Sequence, residues 1–213
     1  PQIPPVTGPL TQVKPARIAI AWDASLSRGH ADHAKEFDVI KAHLAALKEV
    51  SVEVIPFRNV PEMGTTFAVA TGDASEIIKF LAALPYDGGT NLSAVRFGRL
   101  TALDLGKPTK VPPLGVAYYL LFTDGLTNLG PDLPATVEAP VFAVSNDPRS
   151  NHALLRRLAG ESGGQYLNLQ AMSVEQGVAA ITDQPYSLMS VECDPKEIAE
   201  GLFNRESDSA LNF

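Results

Sequence analysis

Arg17-Ile-Ala-Ile-Ala-Trp-Asp23, followed at once by Ala24-Ser25-Leu26-Ser27, decides how the chain is read. After its first residue the run to Trp22 is continuously apolar. That suits a strand covered on both faces, as in a parallel sheet, because a half-exposed strand would alternate with polar residues. The run then stops at a carboxylate and two hydroxyls.

Downstream, residues 32–48 change to helical spacing. Phe37, Ile40, Leu44 and Leu47 fall on one stripe, and Lys35, Asp38, Lys41 and Lys48 take the other side. Residues 51–57 read as a second strand, stopped by Pro56 and the Arg58-Asn59 turn, and 65–71 as a short edge strand paired with it. Asp73-Ala-Ser-Glu76 has capping-box spacing ahead of Ile77, Phe80, Leu81 and Leu84, and Pro85 ends that helix. Residues 91–105 are weakly helical, with Leu92, Val95, Leu100 and Leu103 as core candidates. A proline-bearing loop (107–113) leads to Gly115-Val-Ala-Tyr-Tyr-Leu-Leu-Phe-Thr123, the strongest buried-strand signal. Ala139 to Val144 repeats it. A helix over 151–159 closed by Gly160, a strand over 165–169 and a helix over 173–182 complete the series.

Strands alternating with helices specify an α/β fold. The sheet is mostly parallel, with one short antiparallel edge strand and helices on both faces. Right-handed crossovers make it doubly wound and Rossmann-like. Residues 1–14, rich in proline, read as a linker, 15–183 as the domain, and 184–213 as a tail. Ser187 to Glu192 adds a strand outside the alternation, the start or remnant of a following β-rich module. A start at Pro1 reads as a piece of a longer protein.

A length of 213 residues suits one domain with a substantial core. The net charge of -7 argues against a nucleic-acid partner, since a phosphate backbone selects clustered Lys and Arg. No apolar run approaches the ~20 residues that span a bilayer, so this fragment is not expected to insert. The single cysteine, Cys193, excludes an internal disulfide and a thiolate metal cluster.

In doubly wound sheets ligands bind beyond the carboxyl ends of the strands, where strand order reverses. Two strands here end in a carboxylate: Trp22-Asp23-Ala-Ser25-Leu-Ser27 and Phe122-Thr123-Asp124-Gly125. Between them lies Tyr86-Asp87-Gly88-Gly89-Thr90-Asn91. Asp23-x-Ser25-x-Ser27, a distant Thr90 and Thr123-Asp124-Gly125, in that order, form the pattern of a metal-ion-dependent adhesion site. Over residues 15–183 the sequence therefore resembles a von Willebrand factor type A domain.

The resemblance implies that Ser25, Ser27 and Thr90 offer hydroxyl oxygens to a divalent cation. Asp23 and Asp124 would act through bound waters and by orienting those hydroxyls. Oxygen donors are hard, which favours Mg²⁺, with Mn²⁺ or Ca²⁺ also suited. Neutral inner ligands leave the ion electrophilic, so an Asp or Glu side chain on a protein partner is the implied further ligand. Tyr86, Asp87, Gly89, Asn91 and His30 are expected on the rim that the partner touches. Gly88 and Gly89 suit a tight loop, and Gly125 a sharp exit. Within the family, Gly163-Gly-Gln-Tyr-Leu-Asn168, Pro185 and the 187–192 strand look most like inter-alpha-trypsin-inhibitor heavy-chain-type proteins. There a VIT domain precedes the A domain, which implies other domains of the same longer chain and an extracytoplasmic setting.

The function implied is a non-enzymatic, cation-dependent binding module. Two other readings use the same residues. One is a metal-assisted hydrolase, whose nearest general base by sequence is Asp87. The other is an intracellular assembly scaffold whose ion is only structural. Exposed apolar residues around the cluster would favour adhesion or assembly, and a deep pocket with an aimed base would favour hydrolysis. Each segment alone is also what a helix cap or a turn looks like. A serine hydrolase lacks its Gly-x-Ser-x-Gly elbow. Residues 88–91 lack the ending of a phosphate loop, and no Gly-x-Gly-x-x-Gly follows the first strand. His33, His43 and His152 read as solvated helix residues, and Trp22 as buried packing. Asn91-Leu-Ser93 is an acceptor sequon, and a glycan there would conflict with the site.

Overall fold

The computed structural model describes residues 14–105 and 115–182. The proline-rich stretch before Lys14, the 107–113 loop, the 187–192 strand and Cys193 lie outside the described residues. Six strands form one sheet: β1 (Arg17–Asp23), β2 (Val50–Phe57), β3 (Thr65–Val69), β4 (Tyr119–Phe122), β5 (Val141–Ser145) and β6 (Tyr166–Asn168). Their order is β3-β2-β1-β4-β5-β6. All neighbours are parallel except β2 and β3. The helices are α1 (Ala34–Leu47), α2 (Ser75–Ala82), α3 (Ala102–Leu105), α4 (His152–Glu161) and α5 (Val174–Thr182). Single 3₁₀ turns cover Leu26–Arg28 and Leu92–Ala94.

Every residue of β1 is buried, as a continuous apolar run in a central strand requires. Alternate side chains serve two cores. Ile18, Ile20 and Trp22 pack with Val39, Ile40 and Leu44 of α1, Ile77 and Leu81 of α2, and Ile181 of α5. Ala19 and Ala21 face the other way, with Leu154, Leu155 and Leu158 of α4 and with Leu92, Val95 and Phe97. The alanines leave this face to larger neighbours: Tyr119 meets Phe97 edge-on at 5.2 Å and donates its hydroxyl to Gly98 O at 2.8 Å. At the amino end of β1, Arg17 pairs with Asp104 at 2.8 Å and with Glu53, anchoring α3 to the sheet.

Several elements differ from the sequence expectation. β4 begins at Tyr119, because Val116 and Ala117 donate their N–H groups to Arg99 O and Arg17 O at the sheet margin. The capping box at Asp73 does not form. Asp73 Oδ1 instead accepts from Ser75 N at 2.9 Å and Ser75 Oγ at 2.6 Å, and α2 starts one turn-residue later with Ala74 at its cap. Residues 91–105 are helical only near their ends, in the 3₁₀ turn Leu92–Ala94 and in α3; between these Phe97 bridges Val137 and its carbonyl accepts from Glu138 and Ala139. Leu92 and Val95 are buried, but Leu100 is exposed; the side chain of Leu103 lies outside the described residues.

His43 is not solvated. It is buried on α1, with Nε2 2.7 Å from the Tyr118 hydroxyl and no partner for Nδ1. Burial lowers its pKa from the ordinary 6.5 to about 4. The unfolded chain therefore takes up this proton first, so the stability tied to neutral His43 is complete above about pH 6.5 and is lost as pH falls toward 4. Urea midpoints should decline across that interval, and His43→Gln should flatten the decline.

Candidate metal centre

The chain leaves β1 toward β2 and leaves β4 toward β5, so the loops after these adjacent strands part in opposite directions. That divergence opens the crevice where doubly wound sheets bind ligands. Asp23, the last residue of β1, is fully buried there. Its Oδ1 accepts the Ser25 N–H at 3.0 Å, and its Oδ2 accepts the Thr123 hydroxyl at 2.6 Å. Thr123 Oγ1 in turn accepts the Gly125 N–H at 3.0 Å.

From Ser25 a line of oxygens crosses three loops. Thr90 Oγ1 donates to Ser25 Oγ at 2.9 Å, Ser25 Oγ and Ser27 Oγ lie 3.2 Å apart, and Ser27 Oγ donates to Asp124 Oδ2 at 2.8 Å. Asp124 Oδ1 accepts the Leu126 N–H at 2.9 Å. The five residues singled out in the sequence thus converge. Asp23, Ser25, Thr90 and Asp124 are buried, and Ser27 opens to solvent.

No protein-family model matches the chain, and no curated protein matches it either. Solved structures do. An aerotolerance-related membrane protein from Bacteroides fragilis superposes with a TM-score of 0.56 at 17% identity, over 79% of this chain and 98% of that one. The conserved hypothetical protein BatB from Bacteroides thetaiotaomicron gives 0.52 at 16% identity, over 79% and 96%. The likeness shows the fold alone, a mostly parallel α/β sheet with one antiparallel edge strand. A von Willebrand factor type A protein from Catenulispora acidiphila superposes more loosely, with a TM-score of 0.48 at 12% identity, over 80% of this chain and 42% of that one.

In this fold the Thr90 loop is braced from two sides. Asn128 Oδ1 accepts the Thr90 N–H at 2.9 Å, and Thr90 O accepts from Asn128 N and Leu129 N at 3.0 and 3.2 Å. Asn59 Oδ1 accepts the Gly89 N–H at 2.7 Å. Gly88 has φ +65°, and a Cβ there would also press on the Asn59 amide. Gly125 leaves Asp124 at φ +69°, the left-handed turn expected of that glycine.

The residues expected on the rim divide. His30 and Asp87 are exposed, and Gly89 and Asn91 are half-buried. Asp87 Oδ1 is paired with Arg58 Nε at 3.0 Å, so this carboxylate is committed to a salt bridge. The Asn91 amide donates to Asn59 O at 3.0 Å, which engages the sequon nitrogen inside the loop. Tyr86 packs inward: its hydroxyl accepts the Trp22 indole N–H at 3.0 Å and its ring stacks on His33 at 5.3 Å. His152 also has a partner, with Nδ1 2.6 Å from the Tyr166 hydroxyl.

His33 corrects its solvated reading too. Its Nδ1 lies 2.8 Å from Glu36 Oε2 and its Nε2 3.1 Å from Arg28 O. Arg28 and Glu36, both buried, form an ion pair that the sequence motif does not include. Arg28 Nη1 and Nη2 donate to Glu36 Oε1 and Oε2 at 3.0 and 2.8 Å, and the guanidinium lies 5.6 Å from the Trp22 ring. A signal existed, since Glu36 falls on the helical stripe of Ile40, Leu44 and Leu47 where a lone charge needs a partner. Thr123 was quoted in the motif without a role, yet it holds Asp23.

Burial pushes the Asp23 carboxyl above its usual range, and hydrogen bonds from Thr123 and Ser25 with the charge of Arg28 oppose this. For Glu36 burial acts in the same sense, but Arg28 and His33 outweigh it and hold the carboxyl low. Arg28 is held by two hydrogen bonds to Glu36. An all-oxygen set with a buried carboxylate fits a hard cation. Among the described residues, no group of three or more His, Cys, Asp or Glu side chains is disposed to hold a metal.

Exposed apolar side chains lie in loops at the same end of the sheet: Leu26 after β1, Val60 and Met63 after β2, and Leu126 and Leu129 after β4. A cavity of about 590 Å³ lies elsewhere, between α1 and α2, lined by Lys41, Ala45, Ile78 and Ala82 among others. Thr123→Val removes the hydroxyl that Asp23 Oδ2 accepts, and should lower unfolding free energy by about 1–3 kcal/mol in guanidinium titration, the cost of a buried unsatisfied acceptor.

Proposed function

We propose that this domain is a non-enzymatic protein-binding module that works through a divalent cation, Mg²⁺ by preference. Ser25, Ser27 and Thr90 would offer hydroxyl oxygens to the ion, and Asp23 and Asp124 would orient them and balance its charge. When bound, the ion supplies a Lewis-acidic position for an Asp or Glu side chain of a partner. The observation that carries this reading is the convergence of five oxygen-bearing side chains from three segments, at the end of the sheet whose loops also carry exposed apolar residues. Hydroxyl hydrogens rotate, so oxygens that now bond to each other can turn their lone pairs to an ion. Leu26, Val60, Met63, Leu126 and Leu129 supply apolar contact area beside the polar centre, an arrangement typical of interfaces.

A hydrolytic reading finds less support. Asp87 is tied to Arg58, and among the described residues no histidine hydrogen-bonds to Ser25 or Ser27. The extracytoplasmic setting belongs to the same proposal. It draws on the sequence resemblance and on the Bacteroides fragilis neighbour, itself described as a membrane protein. No helix among the described residues is long and apolar enough to cross a membrane. The likeness to VIT-containing heavy-chain proteins rests on the sequence around β6 and extends the proposal to flanking domains of a longer chain.

Isothermal titration with Mg²⁺ and Mn²⁺ should show one site in the native chain and none in Asp23→Ala or Ser25→Ala, with the far-ultraviolet circular dichroism retained. Unchanged titration in both variants would remove the assignment. Affinity for a protein partner should likewise fall to background in EDTA.

A further inference from the structure

Arg58 is the first residue past β2, and the register that sets Phe57 beside Asp23 brings it next to Ala24, between Asp23 and Ser25 of the oxygen cluster. Its side chain is 15% exposed and reaches in three directions. Nε donates to Ala24 O at 3.2 Å, and Nη2 donates to Pro85 O at 2.6 Å. Nη1 pairs with Glu62, and Asp87 Oδ1 lies 3.0 Å from Nε. The Arg58 carbonyl accepts the Asn91 N–H at 2.9 Å. One residue thus grips the 85–91 loop at both ends, and its side chain ties that loop to Ala24. We propose that Arg58 is a positioning residue: its guanidinium holds the Thr90 loop closed against Ser25 and so sets the affinity of the cluster for a divalent cation. The inference rests on reading that cluster as a cation site.

The geometry carries it. Thr90 Oγ1 and Ser25 Oγ, 2.9 Å apart, stand on two segments whose backbones meet only through single bonds. These are Asp87 N to Ala24 O and Leu26 N to Gly88 O, both 3.2 Å and so at the long end of the ordinary range. The guanidinium adds a second donor to Ala24 O and reaches from there to Pro85 O, with the rigid fork that only an arginine presents. Glu62 and Asp87 balance its charge, so what reaches the cluster is the hold on two neutral carbonyls.

Charge alone and a tether predict opposite signs. A positive group near the cluster repels a dication, so removing it for its charge would tighten binding. Removing a tether loosens the ligand set. Arg58→Ala should therefore weaken Mn²⁺ binding about tenfold, the usual cost of losing a residue that orients a metal ligand. Thr90→Ala should weaken it too. Adding Arg58→Ala to Thr90→Ala should then cost little more, because the hydroxyl being positioned is already gone.

Mn²⁺ alone is titrated into the full chain by calorimetry, and the electron paramagnetic resonance line shape of the bound ion is recorded in each variant. Weaker binding with an altered line shape is expected for Arg58→Ala. If the native chain binds, Asp23→Ala does not, and Arg58→Ala binds as tightly as native or more so, the Arg58 inference falls while the cation reading stands. A native line shape in Arg58→Ala, or losses that simply add to those of Thr90→Ala, overturns it equally. If the native chain does not bind, the cation reading itself fails and takes this inference with it. Should Arg58→Ala not fold by circular dichroism, Arg58→Lys takes its place. It keeps the charge but donates from a single point, and an affinity equal to native overturns the proposal.

Discussion

A carboxylate shut away from water is stable as an anion only while its surroundings supply donors and charge, and Asp23 draws these from both sides of the strand-order reversal. Thr123, just past β4, gives one hydroxyl, and Ser25, just past β1, gives one N–H. The two strands are thereby fastened at the point where their loops part. Each later contact presupposes that fastening. Ser25 Oγ can accept from Thr90 only because its backbone is folded back onto Asp23, and Asp124 meets Ser27 only because Thr123 holds the start of its loop. The polar cluster is an extension of the sheet, with its geometry set by the ends of β1 and β4.

The division of polar and apolar groups at this end of the sheet follows from the same constraint. Oxygens that satisfy one another are drawn inward, where the loss of water strengthens each bond. Leucine, valine and methionine at positions 26, 60, 63, 126 and 129, in the loops after β1, β2 and β4, are left exposed. A soluble surface concentrates such residues where something covers them. Among the exposed large hydrophobic side chains of the described residues, only Leu100 stands apart from this end. An exposed apolar margin and a largely buried oxygen cluster are therefore found together at one end of the sheet.

The sequence displayed what is dictated by local pattern. Continuous apolar runs located β1 and β5, and the carboxylate and hydroxyl residues at the ends of β1 and β4 pointed to the cluster. It concealed what depends on a partner distant in sequence. His43 and Glu36 sit on α1 among charged and polar neighbours, and their burial is visible only once Tyr118 and Arg28 are opposite them. Leu100 has the spacing of a core residue, but it lies at a bend between the Phe97–Val137 bridge and α3, so no continuous helical stripe forms there. At α2, Ser75 competes for the Asp73 carboxylate over one residue's distance, and a local Asx turn wins over the longer reach of a capping box.

The antiparallel edge strand, which looks like an ornament on an otherwise parallel sheet, is what delivers the third loop. Had β3 run parallel to β2, the chain would have arrived again at the carboxyl end and needed a further crossover to move on. Because β3 runs the other way, α2 is free to carry the chain back, and the loop after it lands on β1. The contacts at that landing are backbone to backbone: Asp87 N to Ala24 O at 3.2 Å and Leu26 N to Gly88 O at 3.2 Å. Such contacts tolerate side-chain change on either partner, whereas Gly88 and Gly89 admit little, since Asn59 and Asn128 fill the space a Cβ would need. The position of Thr90 over Ser25 is thus set by sheet topology and two glycines, which explains how a residue far from either strand end completes the oxygen cluster.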